Sequence, residues 1–379
     1  MNRFSLVLAT VMSLSLSAIQ PALAQSKGDA TATLKAKKKK KKKVDLKIGA
    51  RLYALWTVTD DTDDPANEFS VAMARVKFDW RYAKLIRGVL QADFEQLLDE
   101  ANEDPLLRDM YVQIRPLRQL RVRVGQFKRP FSRLELRGRS RLELVKRGPS
   151  NDWLIEDLKF GDRDIGLMLE GRFGNGKRNI EYAAGIFNGA GKNDKETDLN
   201  GAKDYAVRLQ GKPADWLSLG VSSSFKTVDV HSIAYYPEFA WAYGADARLK
   251  LGSFSLLAEG LFGQNHDRCA AANIPAECRE QVDGGDLPHS WSAVLLGAYQ
   301  FDLGTKARLK LQPLIKLELL QPNTDLDDAD VLSIVVGTNL KIARHVRVMV
   351  QGELLEAGPG LPEHFKSEKR MLLQVALDI

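Results

Sequence analysis

The chain has 379 residues, 27% of them charged, and a formal charge of +6. Residues 1–43 alone carry ten cations and one anion, a net +9, so everything after them is net −3. That balance removes the case for a chain-wide nucleic-acid surface, and no stretch of about 18 apolar residues is present to cross a membrane as a helix.

The N-terminus has a cation at Arg3, an apolar run from Phe4 to Ile19, and Ala22-Leu23-Ala24. This is the pattern of a secretory signal peptide, residues 1–24, with cleavage expected after Ala24. Residues 25–43 are low in complexity and end in seven lysines, Lys37 to Lys43. Like charges repel, so the expectation is a disordered periplasmic segment, a solvated spacer or a contact for anionic lipid.

From Val44 to Ile379 the theme is a segment of about ten residues in which apolar and polar positions alternate. Val44–Thr57 puts Leu46, Ile48, Ala50, Leu52, Ala54 and Trp56 on one face, with Lys47, Gly49, Arg51 and Tyr53 on the other. Val71–Tyr82 puts Ala72, Ala74, Val76, Phe78, Trp80 and Tyr82 opposite Arg75, Lys77, Asp79 and Arg81. The same period recurs in Lys84–Gln96, Arg108–Arg115, Gln119–Gln126, Asp162–Phe173, Arg178–Asn188, Asp204–Lys212 and Trp216–Thr227. It continues through Phe239–Leu251, Ser253–Gly263, Ser290–Phe301, Lys306–Leu319, Ala329–Lys341, His345–Leu355 and Arg370–Ile379. These make about sixteen strands.

Connections after even-numbered segments are tiny and those after odd-numbered segments are long. Short and long ends alternate in this way in an up-and-down antiparallel barrel inserted in one direction, with short turns in the periplasm and long loops outside. The predicted fold is therefore an all-β transmembrane barrel over residues 44–379, with both termini in the periplasm and outer-membrane lipid around it. Aromatics near segment ends on the apolar face (Trp56, Trp80, Tyr82, Phe239, Trp241, Trp291, Phe301) suit interfacial girdles.

The loop after the fifth segment has the densest charge. Lys128, Arg129, Arg133, Arg137, Arg139, Arg141, Lys146 and Arg147 stand against Glu135 and Glu143, a net +6 in 20 residues. Ser132-Arg-Leu-Glu135 and Ser140-Arg-Leu-Glu143 both match capping boxes, so short helical turns are expected there. Folded into the lumen, such a loop would form an anion-selective constriction, because the arginine fork donates paired hydrogen bonds to oxyanions. The alternative is a solvated loop facing lipopolysaccharide.

Further lumenal cations are expected at Arg75, Lys77, Arg121, Arg123, Arg308, Lys310 and Lys316, offset by Asp79, Asp93, Glu95, Glu170 and Glu259. Cys269 and Cys278 are expected to close a local disulfide in an oxidising compartment, the alternative being two separate thiols. No metal or cofactor is expected. The five histidines fall mostly in loops without a Ser/His/Asp cluster or metal-ligand spacing, so an enzyme is not expected.

At Gly125-Gln-Phe-Lys-Arg-Pro-Phe131, with the later Asn151-Asp152-Trp153, the chain resembles the phosphate-selective porin O/P family. Its members carry a similar G-[NQ]-F-K-x-P-F segment leading into the constriction loop. The resemblance implies a trimeric sixteen-stranded barrel conducting phosphate or polyphosphate, with Lys128 and the following arginines at the narrowest part. Arg129 stands where the family often has an acid, and the chain ends in Ile379 rather than an aromatic residue. The competing readings are a general or differently selective porin, and a structural or adhesive barrel with a plugged lumen.

Overall fold

The computed structural model describes residues 44–60, 67–97, 106–174, 178–189, 191, 202–227, 239–266, 288–304, 308–359, 361 and 365–379. Residues 1–43, where the signal peptide and the lysine-rich periplasmic segment are expected, and Cys269 and Cys278, whose disulfide is expected, lie outside the described residues.

Alternating sequence becomes strand throughout. In chain order the strands are β1 (Val44–Thr59), β2 (Asn67–Tyr82), β3 (Ile86–Asp93), β4 (Leu107–Ile114), β5 (Arg121–Lys128), β6 (Arg163–Phe173), β7 (Asn179–Phe187) and β8 (Asp204–Ala214). They continue as β9 (Leu217–Thr227), β10 (Phe239–Leu251), β11 (Phe254–Gln264), β12 (His289–Tyr299), β13 (Lys310–Gln321), β14 (Val331–Ile342), β15 (Val346–Ala357) and β16 (Glu368–Asp378). Phe301–Asp302 prolongs β12 and pairs with the start of β13. Each strand bonds antiparallel to its sequence neighbours, and β16 pairs with β1 from Arg51↔Asp378 to Thr59↔Arg370. The result is a closed sixteen-strand barrel, which pairs the backbone groups that an open sheet would leave bare in lipid.

The outer face is apolar and exposed along the wall, as at Leu46, Ile48 and Leu52, at Leu167 and Leu169, and at Ile315, Leu317 and Leu319. Such a continuous apolar surface suits hydrocarbon rather than water. Aromatics gather near strand ends: Trp56 stacks on Phe69, Trp241 packs on Tyr243 and Phe262, and Tyr299 packs on Phe301.

Turns after even-numbered strands are short, such as 83–85, 215–216, 252–253 and 343–345. At the first of these Ala83 and Lys84 have φ 50 and 59, and Leu85 N donates to Tyr82 O at 3.0 Å. Two consecutive left-handed residues match the twist of the hairpin they join. This turn starts β3 at Ile86 rather than Lys84, and a 3-10 turn over Phe94–Leu97 ends it early, taking Glu95 off the strand.

Two expected faces also shift. The β1–β2 register passes from Tyr53↔Met73 to Ala54↔Val71, so Ala72 is an extra residue. A bulge reverses the pleat, and Ala72 packs inside against Tyr53, Met73 and Ala376 instead of outside with Ala74. The thirteenth strand begins at Lys310, not Lys306, which leaves Arg308 exposed ahead of it at φ 52 rather than on the strand's lumenal face.

The interior is packed as well as walled. The connection from β5 to β6 folds inward and buries its own apolar residues against inward-facing residues of β10 to β15.

Candidate functional site

The basic loop leaves the wall through the Gly125–Phe131 segment, and each position there has a visible reason. Gly125 sits at φ 127, where an added Cβ would meet the Met110 carbonyl. Gln126 donates from its amide to Leu107 O at 2.9 Å and Arg108 O at 2.8 Å. Phe127 packs edge-on to Tyr111 and Phe187, with the Arg123 guanidinium 5.1 Å from its ring centre. Phe131 is fully buried in the first apolar cluster inside the barrel.

From there the loop runs through a short helix, Arg133–Leu136, a 3-10 turn, Arg139–Arg141, and a wide helical turn, Asn151–Asp157. Its apolar side is a core. Leu134, Leu142 and Leu144 pack on Leu257, Val294, Leu296, Leu314 and Val335. Phe131, Trp153, Leu154, Ile155, Leu158 and Phe160 pack on Ala240, Ala242, Leu261, Leu320, Val331 and Leu355. Burying each large side chain contributes about 1.5–3 kcal/mol relative to exposure.

Polar wall residues then fix the loop backbone at several places, one of them Arg139–Leu142, where Arg347 donates to Leu142 O at 2.5 Å and to Arg139 O at 3.0 Å. Glu259 accepts from Ser132 Oγ at 2.7 Å, Arg133 N at 2.5 Å and Leu134 N at 3.2 Å. On β14 and β15, Asn339 Nδ2 donates to Glu143 O at 2.8 Å, and Gln351 accepts from Val145 N at 3.0 Å. Glu318, paired with Lys316 at 2.6 Å, accepts from Ser150 N at 2.7 Å. Gly148, at φ 113, lies against that pair, where any Cβ would strike both side chains.

Ser132 caps the short helix as expected, accepting from Glu135 N at 3.2 Å. Ser140 caps nothing: it sits inside the 3-10 turn, whose preceding residue is Gly138, and Glu143 pairs with Arg137 instead. The second capping-box expectation is therefore corrected. The i→i+3 geometry that would bring Glu143 back over Ser140 is never formed.

The other side of the loop faces β1 to β6 across a cavity of about 350 Å³. Nine cations line it (Arg51, Arg75, Lys77, Arg108, Lys128, Arg139, Arg141, Arg147, Arg163) against four carboxylates (Asp109, Glu135, Glu156, Asp162). The side chains of Lys77 from the wall and Arg141 from the loop make no hydrogen bond or ion pair with the described residues. The Arg139 side chain makes one long bond, to Ala72 O at 3.5 Å, while its carbonyl accepts from Arg347 Nη2 at 3.0 Å. Burial, then the Arg147 and Arg108 charges, holds its guanidinium below the usual value.

The remaining cations expected at the constriction are largely neutralised. Lys128 pairs with Glu135, which also takes Arg147 at 3.3 Å. Arg147 further donates to Leu134 O and Arg137 O, each at 3.1 Å, closing the end of the short helix. Arg137 pairs with Glu143 at 2.5 Å. Arg133 pairs with Asp246 and donates to Ser218 Oγ at 2.8 Å, outside the cavity. Arg129 is buried in the wall between Asp164 and Asp204, the latter at 2.8 Å, and does not line the cavity. Lys146 is exposed and also stands outside the cavity lining.

Of the expected lumenal cations, Arg75 lines the cavity, held at 3.0 Å by Asp93, and Lys77 stands beside it. Arg121 and Arg123 share Glu170 at 3.5 and 2.9 Å. Lys310 reaches Asp302 at 3.7 Å, and Lys316 is fully buried beneath the loop. The sequence reading missed Arg51, Arg108 and Arg163 as cavity residues. Arg51 had been placed on the polar face, but Arg108 and Arg163 open their strands, and only the barrel register shows that they meet.

The wide helical turn presents acids to the lumen. Asp152 and Glu156 are exposed, and Glu156 lines the cavity. Enclosure within the barrel, then the Glu156 and Glu318 charges, pushes the Asp152 carboxyl up to about 7. At the far end of the turn, His266 Nε2 lies 2.9 Å from Leu158 O, and burial pushes this imidazole down to about 4.

Comparison with known proteins agrees with this architecture. No curated protein sequence matches the chain significantly. Solved structures do match: an anion-selective porin from Comamonas acidovorans has TM-score 0.64 at 12% identity, covering 89% of this chain and 100% of that one. Salmonella typhi OmpF, in complex with daunomycin, has TM-score 0.61 at 14% identity, covering 89% and 98%. The trimer form of Vibrio cholerae OmpT has TM-score 0.57 at 9% identity, covering 89% and 99%. Identities this low carry the fold alone. A family profile matches residues 58–236, a span that contains the whole basic loop. Fold and family together point to a bacterial outer-membrane channel rather than an enzyme, and the family matched over residues 58–236 is that of the phosphate-selective porins O and P.

Proposed function

We propose that the channel prefers anions, and that phosphate-like oxyanions cross it between the Arg139–Arg141 lip of the loop and the β1–β6 wall. The observation that carries this reading is the cavity, with nine cations against four carboxylates and with Lys77 and Arg141 unpaired among the described residues. Paired arginines still contribute, because their spare N–H groups remain donors. Several moderate donors favour transit over one deep trap. The description of the matched family and the anion-selective neighbour from Comamonas acidovorans support the same reading. A homotrimer is the assembly proposed, supported by the trimer form of OmpT. Short turns and both termini would face the periplasm, with long loops towards lipopolysaccharide.

Reversal potentials in a salt gradient test this. Replacing Arg139 and Arg141 together with alanine should lower the anion-over-cation permeability ratio several-fold, and replacing Arg133 and Arg137 should change it less. Equal anion preference in the Arg139/Arg141 variant and the parent would refute the proposal.

A further inference from the structure

We propose that Glu259 is the positioning residue of the constriction: its carboxylate holds the start of the loop's short helix and so fixes how far the loop reaches across the lumen. The inference rests on the channel reading alone, not on anion preference.

Glu259 lies on the inner face of β11 with 5% of its surface exposed. Its oxygens accept from Ser132 Oγ, Arg133 N and Leu134 N. Among the described residues no cation pairs with it, since Arg133 and Arg208 both turn their side chains to Asp246. The other carboxylate anchor differs, because Glu318 has Lys316 at 2.6 Å. The charge of Glu259 is therefore met by hydrogen-bond donors that the loop itself supplies. The dependence is mutual. The first N–H groups of any helix have no partner within it, and here Ser132 Oγ takes that of Glu135 while Glu259 takes those of Arg133 and Leu134.

The position matters because most of the loop's cavity lining follows within two turns. Glu135, Leu136, Gly138, Arg139 and Arg141 all line it. If the helix start moves, Glu135 moves with its two cations, and the lip, which Arg347 holds from the far side at Arg139 O and Leu142 O, loses its support from the helix. Glu259 thus acts through Ser132–Leu134 on residues that passing solutes meet.

The test uses the full-length chain in liposomes and planar bilayers, with neutral sugars of graded size and open-channel current noise as readouts. Neither readout depends on ion preference, so its outcome stands apart from that of the arginine variants. Glu259→Ala leaves two buried N–H groups without an acceptor and should raise the undocked population by about tenfold or more. It should admit sugars the parent excludes and raise the noise at least about threefold. Glu259→Gln keeps an acceptor oxygen in the same place and should stay near the parent. Ser132→Ala, which removes one donor, should shift both readouts in the alanine direction by less, and it decides the matter if Glu259→Ala does not assemble. Parent-like sugar exclusion and noise in Glu259→Ala, or in Ser132→Ala where that variant decides, would overturn the proposal. So would Glu259→Gln behaving like alanine.

Discussion

The two sides of the lumen differ in kind. Along β1 to β6 the inner face is charged: Arg51, Arg75, Lys77, Arg108 and Arg163 line the cavity, most of them in ion pairs. Along β11 to β14 it carries an apolar patch, Leu257, Val294, Leu296, Leu314 and Val335, buried under the loop beside the anchors Glu259, Glu318 and Asn339. One wall serves as the docking core of the loop and the other as the bank of the channel. The loop reflects the same division, since its leucines and aromatics pack on the first wall while Arg139, Arg141 and Arg147 line the cavity on the side of the second. A single segment thus both packs inside the barrel and lines the charged cavity beside it.

The largest effect should come from breaking the apolar side. Replacing Leu134, Leu142 and Leu144 with alanine removes side chains worth about 2–5 kcal/mol each in a packed core. The barrel should still form, because backbone pairing holds it. Single-channel conductance should rise and its fluctuations grow, whereas a parent-like conductance would show that the polar anchors suffice. The Arg139/Arg141 double alanine variant sharpens the contrast from the other side, since it should change ion preference with little change in the size limit for neutral sugars.

A smaller effect concerns pH. Asp152 has its carboxyl raised to about 7, so it is neutral below that pH and charged above it. Protonation removes negative charge from the lumenal face of the loop, and anion preference should increase as pH falls through about 7. The sign for loop docking is the same: a raised carboxyl pKa stabilises the docked loop at low pH and loses that contribution as pH rises. Asp152→Asn should flatten the profile, and an unchanged slope of permeability ratio against pH would remove Asp152 from the account.

How much of this the sequence displays follows the same division. Alternation is clean in β2, where Arg75, Lys77 and Asp79 alternate with Val76, Phe78 and Trp80, and there the lumenal face can be read directly. In β11 to β14 runs such as Val294-Leu-Leu296 and Leu314-Ile315 are apolar on both faces. In a barrel wall only one apolar face can meet lipid, so a second apolar face is the signal that something packs inside. The reading of alternate positions as outer and inner passed over it. Charge density located the basic loop, but a count of cations cannot say which are spent. Glu135, Glu143, Asp164, Asp204 and Asp246 neutralise five or more of them through contacts that span up to 113 residues of sequence. Similarly, Arg129 breaks the usual acid at its position, and its two carboxylate partners come from β6 and β8, which no local spacing reveals.

The central claim is that ions pass along the β1–β6 bank while the opposite wall is closed by the loop. Single cysteines at Lys77 and at Val335, in a background where Cys269 and Cys278 are serine, test it most directly. A charged, water-soluble thiol reagent applied during single-channel recording should reduce the current within seconds at position 77 and leave it unchanged at position 335. Modification at Val335 with block of current, or full current after confirmed modification at Lys77, would contradict the account.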